Sequence, residues 1–123
     1  NIRNFTYDGL GRRLTAEDLH ASGDTTFGSW TYTYDNAGNL SSIVEPKSQT
    51  INYTYDDLNR ISTEDYTGNA GTEVSYTYDS CTNGAGKLCS VTAPGANDSY
   101  AYNSRGKISS QTKTINSTNY QTD

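Results

Sequence analysis

One pattern returns five times along this chain: Phe5-Thr-Tyr-Asp8, Tyr32-Thr-Tyr-Asp35, Tyr53-Thr-Tyr-Asp56, Tyr76-Thr-Tyr-Asp79 and Tyr100-Ala-Tyr-Asn103. The second tyrosines stand at 7, 34, 55, 78 and 102, so the intervals are 27, 21, 23 and 24 residues. A repeat at this period restricts the fold to an array of like units, each a supersecondary element that buries its apolar face against its neighbours. Within each copy the aromatics fall at alternate positions, and residues two apart in a strand share a face. Trp30, Tyr32 and Tyr34 therefore lie on one side, as do Ile51, Tyr53 and Tyr55, and Val74, Tyr76 and Tyr78. Thr31, Thr33, Thr54, Ser75 and Thr77 point the other way, and β-branched Thr suits a pleated surface that meets water.

The residue closing each strand, Asp8, Asp35, Asp56, Asp79 or Asn103, is followed at a short offset by Gly11, Gly38, Asn59, Gly86 or Gly106. Asp and Asn bond backbone groups two residues on, and Gly or Asn tolerates the left-handed conformation that reverses a chain. An aliphatic follows and opens a return strand: Leu40 to Val44, Ile61 to Tyr66, Leu88 to Thr92 and Ile108 to Ile115. Each unit reads as strand, turn, strand. The first, Asp8 to Leu14, counts as one residue longer than the others. Turn-rich segments 45–49, 67–71 and 93–97 lead into the next tyrosine strand. No helical period persists; residues 15–20 of the oversized first interval read as strand or loop, with a single helical turn as the alternative. The expected fold is all-β: tandem hairpins in a curved antiparallel sheet, one repeat array over residues 1–123.

Leu, Ile, Val and Phe occupy only 17 of 123 positions, a fraction at which disorder must be weighed. The net charge is only −5, and 11 Tyr and one Trp restore the missing apolar area at the alternate positions. The tyrosine rows, Phe5, Tyr7, Trp30, Tyr32, Tyr34, Tyr53, Tyr55, Tyr76, Tyr78, Tyr100 and Tyr102, are thus expected to supply the core. The acidic balance, with a pI of about 4.6, argues against nucleic acid as a partner. No run of 18 apolar residues is present, so no helical membrane span is expected.

The repeated Tyr-x-Tyr-Asp-x-x-Gly-x-Leu resembles the YD repeat of bacterial RHS (rearrangement hotspot) proteins, found also in toxin-complex components and animal teneurins. Residues 28–40 and 76–91 carry the likeness most specifically, in the form of the bacterial branch. The resemblance implies a long antiparallel sheet spiralling into a hollow shell around a C-terminal toxin or other variable polypeptide, in a secreted or cell-surface, bacterial setting. Such shells need more than five repeats, so it implies a segment of a longer protein or one unit of an assembly. Its partners would be neighbouring repeats of the same or identical chains, and the enclosed polypeptide. The family's self-cleaving aspartate element with its Pro-Gly-Leu signature has no counterpart here, so protease function is not carried over.

The remaining candidates weaken on inspection. Cys81 and Cys89 lie on the two arms of the fourth turn, where Asp79 and Gly86 are separated by a four-residue insertion. The arms of one hairpin bring Cα atoms within disulfide range, with free buried thiols as the alternative; two cysteines without a His partner are poor zinc spacing. His20, the lone histidine, has Ser22 and Asp18 nearby, a combination chance supplies in so Ser-rich a chain, and no catalytic residue is expected. Asp8, Asp35, Asp56 and Asp79 could line a rim that binds calcium, with Asp57 beside Asp56 the best pair, but turn bonding already explains them. No metal or cofactor is expected. Five Asn-x-Ser/Thr sequons occur, at Asn4, Asn39, Asn52, Asn97 and Asn116; Asn97, placed in a turn, is the most accessible. The rival reading is an extracellular carbohydrate-binding or adhesion module presenting tyrosine faces to a glycan, or a head-to-tail polymer. Exposure of Tyr34, Tyr55 and Tyr78 separates the first rival from a structural wall.

Overall fold

A computed structural model describes residues 1–122. Among them there is no helix; eleven strands form one open, curved antiparallel sheet in strict sequence order. The strands are β1 (Phe5–Tyr7), β2 (Arg13–Glu17), β3 (Ser29–Tyr34), β4 (Leu40–Val44), β5 (Thr50–Tyr55), β6 (Ile61–Tyr66), β7 (Val74–Tyr78), β8 (Leu88–Ala93), β9 (Ala96–Tyr102), β10 (Ile108–Ile115) and β11 (Thr118–Thr122). Each unit is a hairpin of a tyrosine strand and its return strand.

Four of the five turns are superimposable in their bonding. The acid's N–H donates to the carbonyl four residues on, from Asp8 to Arg12, Asp35 to Asn39, Asp56 to Arg60 and Asn103 to Lys107. Its Oδ1 accepts the backbone N–H of that fourth residue in every one, from Arg12, Asn39, Arg60 and Lys107. The residue three after the acid takes positive φ in four units, 77° at Gly11, 91° at Gly38, 58° at Asn59 and 75° at Gly106, and in the fourth, whose turn is longer, Gly86 does so at 74° seven residues past Asp79. Only Gly and Asn adopt this region cheaply.

A register shift just before the second tyrosine recurs in the hairpins, placing Tyr34 opposite Leu40, Tyr55 opposite Ile61, Tyr78 opposite Leu88 and Tyr102 opposite Ile108. In the first unit Tyr7 faces Arg13 at the same spacing. The reading that made that unit one residue longer is therefore corrected: Arg13, not Leu14, holds the position of Leu40, and the aliphatic had been displaced by one. Residues 15–17 continue as strand, and the oversized interval is a loop pinned by an isolated bridge between Ile2 and His20. The segment 93–97 is not all turn either; Ala93 pairs with Ala96 around Pro94-Gly95, so Asn97 lies in β9, paired with Thr92 and exposed.

The expected tyrosine core is corrected as well. Among the described residues Ala16, at 1% exposure, and Cys89, at 4%, are the only buried hydrophobic ones, and no repeat tyrosine is fully buried. A single-layer sheet has no second layer to cover either face. The aromatic residues of β3, β5, β7 and β9 are half-buried, whereas Phe5 and Tyr7 at the edge are exposed.

Candidate functional site

Pairing within a hairpin extends to the second tyrosine, but pairing between successive hairpins stops short of it. The inter-unit ladders end at Thr31, Asn52, Ser75 and Ser99. Each lies three residues before the second tyrosine, so neighbouring hairpins splay apart at their turn ends. Splaying leaves the first carbonyl of each return strand without a ladder donor, a cost that folded chains avoid. The second tyrosine fills that vacancy. Tyr34 Oη donates to Arg13 O at 2.8 Å, Tyr55 to Leu40 O at 2.9 Å, Tyr78 to Ile61 O at 2.9 Å and Tyr102 to Leu88 O at 2.7 Å. The repeat tyrosine is a strut across the splay. Desolvation raises the Tyr55 phenol above its usual pKa, so it stays a donor at neutral pH.

The residue four past the turn acid, or eight past it across the longer fourth turn, reaches across the same gap on the rim. The Arg12 guanidinium lies over the Tyr34 ring at 4.5 Å, Arg60 over Tyr78 at 4.2 Å, and the Lys87 ammonium over Tyr102 at 5.2 Å. Each is a cation on an aromatic face, an electrostatic attraction with the ring quadrupole. Arg60 does most: Nε bonds Asp56 of its own turn at 2.7 Å, and Nη2 bonds Asp79 of the next at 2.7 Å. Asn39 makes the uncharged version, donating to Asp35 and to Asn59 Oδ1.

These bonds account for the rim acids. The backbone N–H of Arg12 holds Asp8 below the ordinary carboxylate pKa, and that of Arg60 does the same for Asp56. The Arg60 side chain lowers Asp79. Burial pushes Asp35 up, but bonds from the Asn39 side chain and backbone outweigh it. Each acid is turned into its own loop, and no group of three metal-capable side chains converges among the described residues.

On the opposite face, hydroxyls pair across each hairpin one step before the register shift: Thr6 with Thr15, Thr33 with Ser42, Thr54 with Thr63 and Thr77 with Ser90. The fifth unit breaks the row, because Ala101 faces Ser110. Carboxylates also sit on the tyrosine face: Asp98, two residues before Tyr100 in β9, pairs with Lys113 at 3.6 Å. Glu64, opposite Tyr53, accepts from Tyr76 Oη at 2.7 Å, and that bond pushes the Tyr76 phenol up to about 12.

Cys81 and Cys89 form a disulfide with Cα atoms 5.4 Å apart. His20 stacks on Phe27 with ring centroids 3.9 Å apart, and both ring nitrogens meet oxygens, Glu17 Oε2 at 3.0 Å and Ala21 O at 3.0 Å. Ser22 and Asp18 make no hydrogen bond with the imidazole. Three sequon asparagines have engaged side chains: Asn4 on Glu17, Asn39 in the rim and Asn52 on Thr67.

Sequence reasoning missed Arg12, Arg60, Lys87 and Glu64. A signal existed for the first three: a basic residue recurs four after the turn acid, at Arg12, Arg60, Lys107 and, past the insertion, Lys87.

The RHS Repeat family profile matches residues 7–50 and 34–70, together more than half of the chain. No curated protein matches it. Among solved structures, the crystal structure of TcdB2-TccC3-TEV matches with a TM-score of 0.68 at 14% identity over 88% of this chain. TcdB2-TccC3-Cdc42 matches at 0.66 and 15%, and TcdB2-TccC3 without its hypervariable C-terminal region at 0.66 and 16%, each over 88% of this chain. At such identity the likeness is one of fold, and this chain spans 6% of the length of each.

Proposed function

The chain belongs to the RHS repeat family, and from that premise we propose that it is a non-enzymatic section of wall in a hollow β-shell. The observation that supports this most directly is the junction chemistry. The same tyrosine-to-carbonyl strut recurs at four successive junctions, so each unit presents to the next the surface the previous one presented to it. Stability in such arrays is a sum over units and nearest-neighbour interfaces, and a wall extends by adding units. The tyrosine face lines the concave side and the Thr/Ser face the outside, in a secreted or cell-surface bacterial protein that encloses or scaffolds a toxin or other polypeptide.

The glycan-binding reading is the weaker one. Tyr34, Tyr55 and Tyr78 are half-buried, and their hydroxyls are committed to neighbouring carbonyls. Sedimentation of the isolated chain tests the wall. Outer edges that belong against further units are expected to drive association, since unpaired strand edges template pairing. A stable, non-associating 13.4 kDa species that is retained on immobilised polysaccharide would overturn the proposal in favour of an adhesion module.

A further inference from the structure

The fourth junction differs from the other three. There the turn carries the insertion, and the disulfide folds it back toward the fifth unit. Thr82 O accepts the Tyr102 N–H at 3.1 Å, and Asn83 Nδ2 donates to Tyr102 O at 2.8 Å. Both backbone groups of a second tyrosine are thus taken up by the preceding unit, beyond the point at Ser99 where the ladder ends. The insertion occupies the splay that elsewhere is spanned only by side chains, the tyrosine hydroxyl and the rim contacts of Arg12, Asn39 and Arg60.

What holds the insertion in this shape is the pair of sulfurs. Cys81 N–H donates to Cys89 Sγ at 3.0 Å, Gly84 N–H to Cys81 O at 2.9 Å and Lys87 N–H to Gly84 O at 2.8 Å. Gly84 is buried against the bridge: a Cβ there would collide with Cys81 Sγ and stand 2.7 Å from Cys89 Sγ. Asp79 at φ 68° and Asn83 at φ 51° take left-handed conformations that residues with a Cβ seldom adopt unassisted. Free of the crosslink, the segment keeps its local backbone bonds and the Gly86 N–H bond to Asp79 Oδ1, but loses the tie that fixes Cys81 to the return strand at Cys89.

We propose that the disulfide-closed insertion, residues 80–86, is a redox-operated fastener between the fourth and fifth units. A dithiol reductant attacks at half-buried Cys81, Cys89 being 4% exposed. Thiolate exchange breaks the Cys81–Cys89 bond, two electrons and two protons end on the two sulfurs as thiols, and the reductant closes its own disulfide. The insertion then leaves the splay, and the fifth hairpin is held by its ladder, the Tyr102 hydroxyl and the Lys87 ammonium over the Tyr102 ring, the same kinds of contact that join the other units.

Amide exchange read residue by residue on the whole chain tests this, with dithiothreitol as reductant and a two-proton mass gain confirming the thiols. Reduction is expected to accelerate exchange of the Tyr102 amide by about tenfold or more, while the amides around Tyr32, Tyr53 and Ser75 stay unchanged. The Asn83→Ala variant, with the bridge intact, is expected to accelerate the same amide by a smaller factor. An unchanged Tyr102 rate in fully reduced protein would overturn the proposal. So would equal acceleration in every unit, which would make the bridge a global staple, or a wild-type rate in Asn83→Ala.

Discussion

Replacing Tyr55 by Phe removes one hydroxyl and keeps the ring that lies against its neighbours. The loss is the 2.9 Å bond to Leu40 O, at a point where the ladder between the second and third units has already ended. A net hydrogen bond of this kind contributes about 1 kcal/mol, rising toward ~2 kcal/mol if the abandoned carbonyl finds no water. For a chain of this size that corresponds to a fall in melting temperature of roughly 3–6 °C. Tyr78→Phe removes the equivalent bond to Ile61 O and is expected to cost about 1 kcal/mol as well; because Ile61 is paired with Tyr55, the double variant measures how strongly the two junctions couple. Tyr7→Phe is the control: its ring is 54% exposed and it has no preceding hairpin among the described residues, so its change should stay within about 0.5 kcal/mol. Urea and thermal unfolding followed by circular dichroism give all four values. If Tyr55→Phe and Tyr7→Phe cost the same, the hydroxyls are not struts and the account of the junction is wrong.

Three further outcomes follow from the rim and the hydroxyl row. Ala101→Thr restores the missing cross-strand hydroxyl opposite Ser110 and should stabilise by a few tenths to ~1 kcal/mol, seen as a raised urea midpoint; an unchanged or lowered midpoint would refute the pairing argument. Asp8, Asp35, Asp56 and Asp79 are depressed below 3.8, so the stability they contribute is present above that pH and lost as pH falls through the lowered values. Asn103 does not titrate, so the Gly106 amide should stay protected at acidities that release Gly38, and simultaneous release would refute this. His20 is raised above 6.5 chiefly by its bond to Glu17. Its contribution is complete below 6.5 and fades as pH rises through the raised value; the protection of the Ile2 and His20 amides, which bond each other, relative to their intrinsic exchange rates should fall over that interval, and a constant protection factor would count against this role of His20.

Much of the fold was legible because its determinants are local. Alternation in Tyr32-Thr-Tyr34 sets which face a side chain occupies, and Asp35 with Gly38 sets the turn, through interactions spanning a few residues. The same locality limited the reading. Leu14 looked like the counterpart of Leu40 in the first unit because both are aliphatic, whereas equivalence depends on the register shift, which put Arg13 opposite Tyr7. Arg60 drew no reading because its second partner, Asp79, is 19 residues away. The tyrosines appeared as core because area was counted without knowing how many layers would share it.

By itself the amino-acid sequence determined the hairpin unit, its five-fold recurrence and the chemistry of the turns, since each follows from residue type at short fixed spacing. Only the tertiary structure decided how the units join. The ladders between hairpins stop early, and whether a carbonyl is left open, and whether a phenol or an inserted loop can reach it, depends on strand directions and distances that no spacing along one chain encodes.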